Sequence, residues 1–303
     1  MILMARVIVP GGISAIFEPC IYENPLMTGA RGAGIGFKDA VEIELKVSSS
    51  EGLRVENIIN GERIVGGVGE TAVKTFFEIL GIEPNYSIEI RQNIRIPISS
   101  GFGTSAASAL GIVLALSKEL DVPLTIIQAG DIAHVAEIRA GSGLGTVSGL
   151  AHIGDIVIIA HPGAPSVCLV DRIPLPASDL RLVVASKGRI ETAKALEDKD
   201  LVDNAMRLGK VAVDMLMKKP TINNFFKLAR WFAESIGLLT KSISDLLNEL
   251  NEFAIGAAQA MIGDSIFALA FKEDADEITR IISDRWGVKG IVGHPVVSGI
   301  YES

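Results

Sequence analysis

The sequence contains few cysteines, histidines and aromatic residues, and each shortage limits the structures that the chain can form. Its two cysteines, Cys20 and Cys168, lie far apart and form no C-x-x-C pair, so we expect neither a disulfide framework nor a cysteine zinc site. The four histidines show no metal-ligand spacing. Aromatic residues make up 5% of a chain that is 49% hydrophobic, which predicts an aliphatic core large enough for a globular enzyme.

The sequence also lacks a basic run and a long apolar run. A net charge of −8 argues against a nucleic acid as partner. No uninterrupted apolar stretch reaches the roughly 18 residues of a membrane span, and the first residues (MILMARVIVPGG) do not have the layout of a signal peptide. We therefore expect a cytoplasmic protein with no membrane and no nucleic-acid partner.

The chain is long enough for two domains of ordinary size, with 303 residues. Four prolines cluster where we expect it to cross between them: Pro162, Pro165, Pro174 and Pro176. The predicted domains are residues 1–163 and 164–303. A high content of Ile, Lys and Glu, with few glutamines, favours a thermophilic source.

Hydrophobic periodicity predicts a mixed α+β protein. The first domain is predicted to have strands at 6–10, 39–47, near Leu53 and Ile64, at 86–96 and at 155–160, and helices at 69–80, 105–120 and 125–140. The second domain is predicted to have strands at 180–186, 266–271 and near Ile291, and helices at 196–218, 223–238, 241–260 and 275–286. This order predicts helices on one face of an antiparallel sheet in the second domain.

A glycine-containing loop between the strand at 86–96 and the next helix predicts a phosphate site. Glycine lets the backbone approach an anion, and the free N–H groups at the helix start point toward it. The hydroxyls of Thr104 and Ser105 can cap the helix or contact the phosphate or its metal. The candidate phosphate-binding residues are Pro97, Ser99, Ser100, Gly101, Phe102, Gly103, Thr104, Ser105 and Ala106.

The pattern of this loop can be compared with three other kinds of glycine-containing turn. A Walker loop is excluded because the segment contains no lysine. The run 101–106 also fits the dinucleotide pattern G-x-G-x-x-A, with Asp121 twenty residues beyond Gly101. One helix followed by Val122-Pro123 leaves no second strand to carry that aspartate. A glycine turn capped by Thr104, without any ligand, remains an alternative.

The form P-x-x-x-G-x-G-[ST]-S-A of this loop resembles the second motif of the GHMP kinases, which phosphorylate galactose, homoserine, mevalonate and phosphomevalonate. Residues 6–11 resemble the first motif of that family, and 255–265 resemble a weak third motif with its glycines thinned to Gly256 and Gly263. A small-residue helix packed on a sheet is the alternative for this third segment. The resemblance implies ATP as phosphate donor. It also implies an N-terminal α/β domain like the second domain of ribosomal protein S5, and a C-terminal ferredoxin-like α+β domain.

Within the family, segments 28–34 (TGARGAG), 141–146 (GSGLGT) and 161–165 (HPGAP) resemble the archaeal pantoate kinases. That resemblance implies ATP-dependent phosphorylation of pantoate to 4-phosphopantoate, a step toward coenzyme A. The branch often has serine where Ala30 stands, so a hydroxyl that could contact the substrate is missing. A kinase for homoserine or a mevalonate derivative, and a catalytically inactive ligand sensor, are the alternatives. A homodimer is left open.

Magnesium ligands are predicted on the loop and on the helix at 125–140. Mg²⁺ prefers hard oxygen ligands, and we choose Ser105 and Glu137, as the resemblance also implies. The segment 141–149, predicted to be a loop, holds four glycines and three hydroxyl residues, which favours backbone approach to a ligand. His134 is a candidate to donate a hydrogen bond to the substrate, with a structural histidine as the alternative.

No dedicated catalytic base is expected. Sugar and mevalonate kinases of the family have a G-x-P-S-G-[IV]-D segment, and here Ala151 takes the place of its aspartate. Thr146 can orient the acceptor hydroxyl or the γ-phosphate but cannot act as a base near neutral pH. We therefore expect catalysis by alignment, metal and amide dipoles.

Arginine side chains are the candidates for the substrate carboxylate, because a guanidinium forks onto one well. Arg31, in a segment predicted to be a glycine-rich loop, is the first candidate and Arg139 the second; a solvated surface arginine is the alternative for each. The predicted substrate-binding residues are Thr28, Arg31, His134, Arg139 and His161.

Overall fold

The computed structural model describes residues 4–176, 179–188, 198–261 and 263–298. In this part of the chain, seven strands form one sheet and four strands form a second. The predicted helix start at Leu196 lies outside the described residues. The α+β fold class predicted from periodicity is confirmed.

The larger sheet is built around two long, paired strands, β1 and β2. Its strands are β1 (Ala5–Cys20), β2 (Gly29–Ser49), β3 (Arg54–Ile59), β4 (Glu62–Ile64), β5 (Tyr86–Ile94), β6 (Ile156–His161) and β7 (Leu169–Ile173). The order is β4-β3-β5-β2-β6-β7, with β1 paired to β2. β3 and β5 run parallel and the other pairs antiparallel.

Four helices accompany this sheet: α1 (Gly67–Leu80), α2 (Thr104–Glu119), α3 (Ile126–Arg139) and α4 (Thr146–Ala151). α2 packs on β1 and β2 and also contacts α1 and α3. Its alanines and glycine are buried, and small side chains let the neighbouring elements approach closely. α3 begins with a capping box, in which Thr125 Oγ1 accepts from Gln128 N and Gln128 Oε1 accepts from Thr125 N.

The smaller sheet has the order β11-β8-β10-β9, and its pairs are antiparallel. The strands are β8 (Leu180–Ser186), β9 (Gly256–Gln259), β10 (Ser265–Phe271) and β11 (Ile291–Gly293), and the helices are α5 (Lys199–Lys218), α6 (Ile222–Ser235), α7 (Lys241–Leu250) and α8 (Ala275–Trp286). α7 and α8 pack on one face of this sheet. α6 packs on the other face, where Phe225 and Phe226 meet Phe267 of β10, so the prediction of helices on one face only was wrong. α5 and α6 also pack on β1. Helices of the second half thus contact the larger sheet.

Three element predictions were wrong. The segment 28–34, predicted to be a loop, enters β2 at Gly29, and a Cβ on Gly32 or Gly34 would collide with carbonyl oxygens of β1. Glycine is needed there for close strand pairing. The predicted helix 241–260 ends at Leu250, and Gly256–Gln259 is a strand. The segment 141–149, predicted to be a loop, turns into helix α4 at Thr146.

Strand β1 is longer than predicted, because register shifts between Val9 and Gly11 and between Ser14 and Ile16 let it continue past Pro10.

The larger sheet extends to Ile173 and the smaller begins at Leu180. The division at 163/164 stays a prediction. Among the described residues, no helix is both long enough and apolar enough to span a membrane.

Candidate active site

The loop between β5 and α2 holds left-handed backbone at alternate residues. Ser99, Gly101 and Gly103 have φ of 57°, 74° and 64°. A Cβ on Gly103 would lie 2.5 Å from Gly12 O and 2.7 Å from Thr146 Cγ2, so this position requires glycine for space as well as for conformation. The loop therefore presses its backbone against β1 and α4, and the free N–H groups of the first turn of α2 lie beside it.

A cavity of about 570 Å³ opens over this loop. Its walls come from β1, β2, the phosphate loop, the segment 140–146 and α4. Seven of the nine predicted phosphate-binding residues line it, and Pro97 and Ala106 do not. One part of the wall is apolar, with Ile59, Val68, Ile94 and Ile98.

Ser105 and Glu137, on different helices, meet at the edge of this cavity. Ser105 Oγ donates to Glu137 Oε1 at 3.0 Å. Glu137 is 1% exposed, and its Oε2 has no hydrogen-bond partner among the described residues. Burial raises the pKa of Glu137 to about 7, although the hydrogen bond from Ser105 opposes the rise. A buried carboxyl with an unpaired oxygen favours a cation at this point.

These residues fit a magnesium ion that is held jointly with a nucleotide. Mg²⁺ typically takes one or two carboxylates, keeps several waters and shares substrate phosphates. Ser105 Oγ and the unpaired Oε2 of Glu137 are hard oxygen ligands beside the phosphate loop. Within the described ranges, no group of three or more His, Cys, Asp or Glu side chains could hold a metal by itself.

The segment after α3 closes over Glu137. A Cβ on Gly143 would lie 2.5 Å from Glu137 Oε1, so only glycine leaves room for the carboxylate. Thr146 begins α4 and lines the cavity, where its methyl group lies close to Gly12 and Gly103. Ala151, in the place of the family aspartate, does not line the cavity.

His134 lies outside the cavity wall and is fully buried. Its Nε2 lies 2.8 Å from Thr28 O and 3.2 Å from Pro25 O. Carbonyl oxygens only accept hydrogen bonds, so Nε2 carries the proton. Burial lowers the pKa of His134 and favours its neutral form. Its substrate role stays a prediction, and this geometry favours a structural one.

Three other predicted substrate residues also lie away from the cavity wall. Thr28 Oγ1 donates to Tyr22 O at 2.8 Å. Arg139 pairs with Glu78 through two hydrogen bonds of 2.8 Å. His161 Nδ1 lies 2.9 Å from Pro162 O. Their substrate roles remain untested, and each side chain already has a local partner.

Arg31 carries the only charge among the described residues that line the cavity. Its Nε donates to Ala160 O at 2.9 Å. Its two terminal nitrogens donate to Glu18 at 2.8 Å and to Asp214 at 2.5 Å. Three of the five guanidinium donors are thus used, which leaves one on each terminal nitrogen.

The candidate site residues chosen from the sequence leave out much of the cavity wall, including Ser14, Phe17 and Met261. Met261 N donates to Ser14 O at 2.8 Å, which brings the turn after β9 onto β1. The weak third motif at 255–265 was the available signal for Met261. Phe17 lies in the part of β1 beyond the predicted strand, where the bulges interrupt the simple alternation.

Residues 64–163 match the GHMP kinases N terminal domain. The pantoate kinase of Thermococcus kodakarensis is 30% identical to this chain over 93% of each protein. The pantoate kinase of Methanocaldococcus jannaschii is 28% identical over 96% of this chain and 98% of its own. A solved phosphotransferase related to the CoA biosynthesis pathway superposes with a TM-score of 0.85 at 28% identity, covering 98% and 97% of the two chains. The chain belongs to the GHMP kinase family.

Proposed function

We propose that this protein transfers the γ-phosphoryl group of ATP to pantoate and forms 4-phosphopantoate, on the way to coenzyme A. The observation that carries the proposal is the contact of Ser105 with the buried Glu137 beside a left-handed glycine loop. The whole-length similarity to two pantoate kinases supports pantoate as the acceptor.

The nucleotide is proposed to lie along the phosphate loop with its base in the apolar part of the cavity. Ile59, Val68 and Ile94 offer a surface suited to a flat aromatic ring. Backbone amides of the loop and of the first turn of α2 face the phosphates. An acidic chain can bind ATP in this way because these amides supply local positive potential.

The acceptor end of the cavity suits a small, partly apolar hydroxy acid. Pantoate has a carboxylate, two hydroxyl groups and a carbon that bears two methyl groups. Arg31 offers the only cation, Ser14 and Thr146 offer hydroxyls, and Ile16 and Val157 offer apolar contacts. We propose that the two free donors of Arg31 receive the carboxylate.

Catalysis is proposed to proceed by alignment rather than by a carboxylate base. Among the described residues, no carboxylate lines the cavity. Held by Ser105 and Glu137 together with phosphate oxygens, Mg²⁺ would supply positive charge for the transferring phosphoryl group. The loop amides hold the phosphates, and Thr146 orients the acceptor hydroxyl for in-line attack.

A substrate panel tests this proposal. Purified protein is incubated with ATP, Mg²⁺ and pantoate, homoserine or mevalonate, and ADP release is measured. We expect ADP with pantoate and a phosphorus signal coupled to the terminal CH₂ of the product. Glu137→Gln, carried through the same purification, controls for contaminating kinases. Turnover of mevalonate but not pantoate would overturn the acceptor assignment, and nucleotide binding without any ADP release would favour a sensor. The cytoplasmic location stays a prediction.

A further inference from the structure

Three serine hydroxyls connect the phosphate loop to the smaller sheet. Ser186 Oγ lies 3.0 Å from Ser100 Oγ and 2.9 Å from Ser265 Oγ. Ser100 belongs to the phosphate loop, Ser186 ends β8 and Ser265 begins β10. We call these three side chains the serine bridge. Ser100 and Ser265 are 2% and 0% exposed, whereas Ser186 between them is half-buried. Water therefore has limited access to the two hydrogen bonds that Ser186 makes with them.

The serine bridge satisfies its own hydrogen bonds. Ser186 Oγ also lies 2.9 Å from Gly188 O, and Ser100 Oγ lies 3.2 Å from Ile98 O. Each hydroxyl has one proton, and carbonyl oxygens only accept. Ser186 can donate to Gly188 while Ser100 donates to Ser186, or Ser186 can donate to Ser100 while Ser100 donates to Ile98. Both arrangements keep the loop bonded to the smaller sheet, and the bond is absent only when both hydroxyls donate to carbonyl oxygens.

The loop that the bridge contacts is strained. Ser99 has a φ of 57°, a left-handed conformation that is unfavourable for a residue with a Cβ. Such residues persist only where the surrounding structure holds them. Ser99 directly precedes Ser100, so the bridge acts one residue from the strain. The smaller sheet is itself joined at this end, where Lys187 N donates to Asp264 O at 2.8 Å.

We propose that Ser186 is a positioning residue that holds the phosphate loop in its anion-binding conformation. It does not line the cavity and acts through Ser100, which does. The inference rests on the proposed function in one respect, because it takes this loop as the nucleotide phosphate site. Ser186 lies outside all three segments that resemble family motifs.

The first test is Mg-ADP binding to Ser186→Ala, measured by calorimetry. Loss of one partly buried hydrogen bond that holds the bound form predicts about five- to tenfold weaker binding. The KM for ATP rises in parallel, while kcat at saturating ATP and the KM for the acid stay within about twofold. Ser244→Ala is the matched control, because Ser244 accepts from Arg230 in the second half and lies outside the cavity. We expect it to bind Mg-ADP as the wild type does.

The second test relieves the backbone strain at Ser99 in a protein that already lacks the Ser186 hydroxyl. Ser99→Gly in the Ser186→Ala background allows φ near 57° without a Cβ, so the loop needs less support. We expect it to recover about half of the lost binding on a logarithmic scale. Unchanged binding in Ser186→Ala, or no recovery in the double variant, would refute a positioning role. Absence of Mg-ADP binding to the wild-type protein would contradict both the proposed nucleotide site and the positioning role of Ser186. A protein that does not phosphorylate pantoate, but whose Mg-ADP binding is weakened by Ser186→Ala as expected, would contradict the acceptor assignment and support the positioning role of Ser186.

Discussion

The carboxyl group of Glu137 is buried, and its ionisation is coupled to the stability of the fold. Burial raises its pKa to about 7 from an ordinary value of 4.5, so the folded protein binds this proton more tightly than the unfolded chain does. Protonation therefore favours folding. The contribution is fully present below pH 4.5 and is lost as pH rises through about 7.

We predict that Glu137→Gln removes this pH dependence in the nucleotide-free protein. Wild-type protein should lose about 3 kcal/mol of unfolding free energy from this group between pH 4.5 and pH 8, since one pKa unit corresponds to about 1.4 kcal/mol. The neutral amide has no ionised form and keeps its stability. Urea unfolding at pH 5 and pH 8 measures the difference. Parallel pH profiles for the two proteins would contradict the prediction.

The same variant should lose kinase activity by at least about a hundredfold, because it loses the anionic oxygen that we assign to the metal. Glu78→Gln is the control for activity. Glu78 is an exposed carboxylate that pairs with Arg139 outside the cavity, and its neutralisation should leave turnover close to that of the wild type. Equal loss in both variants would remove the special role of Glu137.

At the scale of elements, the junction between the phosphate loop and α2 depends on one glycine. Gly103→Ala places a Cβ against Gly12 O at a left-handed position, so we expect the loop to shift. The left-handed backbone alone costs about 1–2 kcal/mol, and the collision adds to that. Nucleotide binding should weaken by at least about tenfold, as measured by calorimetry with Mg-ADP.

Gly81→Ala is the matched control for this substitution. Gly81 follows α1 outside the cavity and has a φ of 63°, close to that of Gly103, but no heavy atom lies within 4 Å of the Cβ position. Its cost is therefore the backbone strain alone, and Mg-ADP binding should change much less. Equal losses in the two variants would show that backbone conformation, rather than contact with β1, makes Gly103 necessary.

The elements that could be predicted from the sequence are those whose own residues identify the element type. α8 matches the predicted range 275–286 because its amphipathic run has a helical period, and β8 matches 180–186 because a short run rich in leucine and valine has the length and residue types of a buried strand. β9 could not be predicted, since its residues (GAAQ) have no period and are all buried. Its strand conformation depends on pairing with β10, which is a tertiary contact.

The features of the candidate site also divide into those that local sequence predicts and those that depend on tertiary contacts. The phosphate loop could be predicted because glycine spacing and helix start are local features. The approach of Ser105 to Glu137 was expected on the resemblance and lies at 3.0 Å. The placement of Arg31 between Glu18 and Asp214 could not be predicted, because Asp214 lies 183 residues further along the chain, on α5. Likewise, a glycine-rich run is equally typical of a loop and of two strands in close contact.

At the scale of the whole molecule, the two halves share an aromatic contact behind the cavity. Phe17 of β1 lines the cavity, and its ring meets the ring of Phe232 edge-on with centroids 5.6 Å apart. Phe232 lies on α6 and is fully buried. The core of the larger sheet therefore continues into helices of the second half.

We predict that Phe232→Ala lowers the stability of both halves together, by about 3–5 kcal/mol. Tryptophan fluorescence reports the second half, since Trp231 and Trp286 both lie there, and far-UV circular dichroism reports the whole chain. The two probes should give one coincident urea transition. Phe271→Ala is the control, because that ring is 42% exposed and its removal should cost about 0.5 kcal/mol or less. Two separate transitions would show that the halves unfold independently.

The close pairing of β1 with β2 limits how the acceptor preference of this enzyme could change during evolution. Gly32 and Gly34 line the cavity, and no other residue fits at either position without displacing a carbonyl of β1. Along this stretch only backbone atoms line the cavity, and substitution does not change the chemistry of backbone atoms. Variation that changes the acceptor must therefore arise at side chains around the glycines, such as Ala30 and Leu150, which also line the cavity.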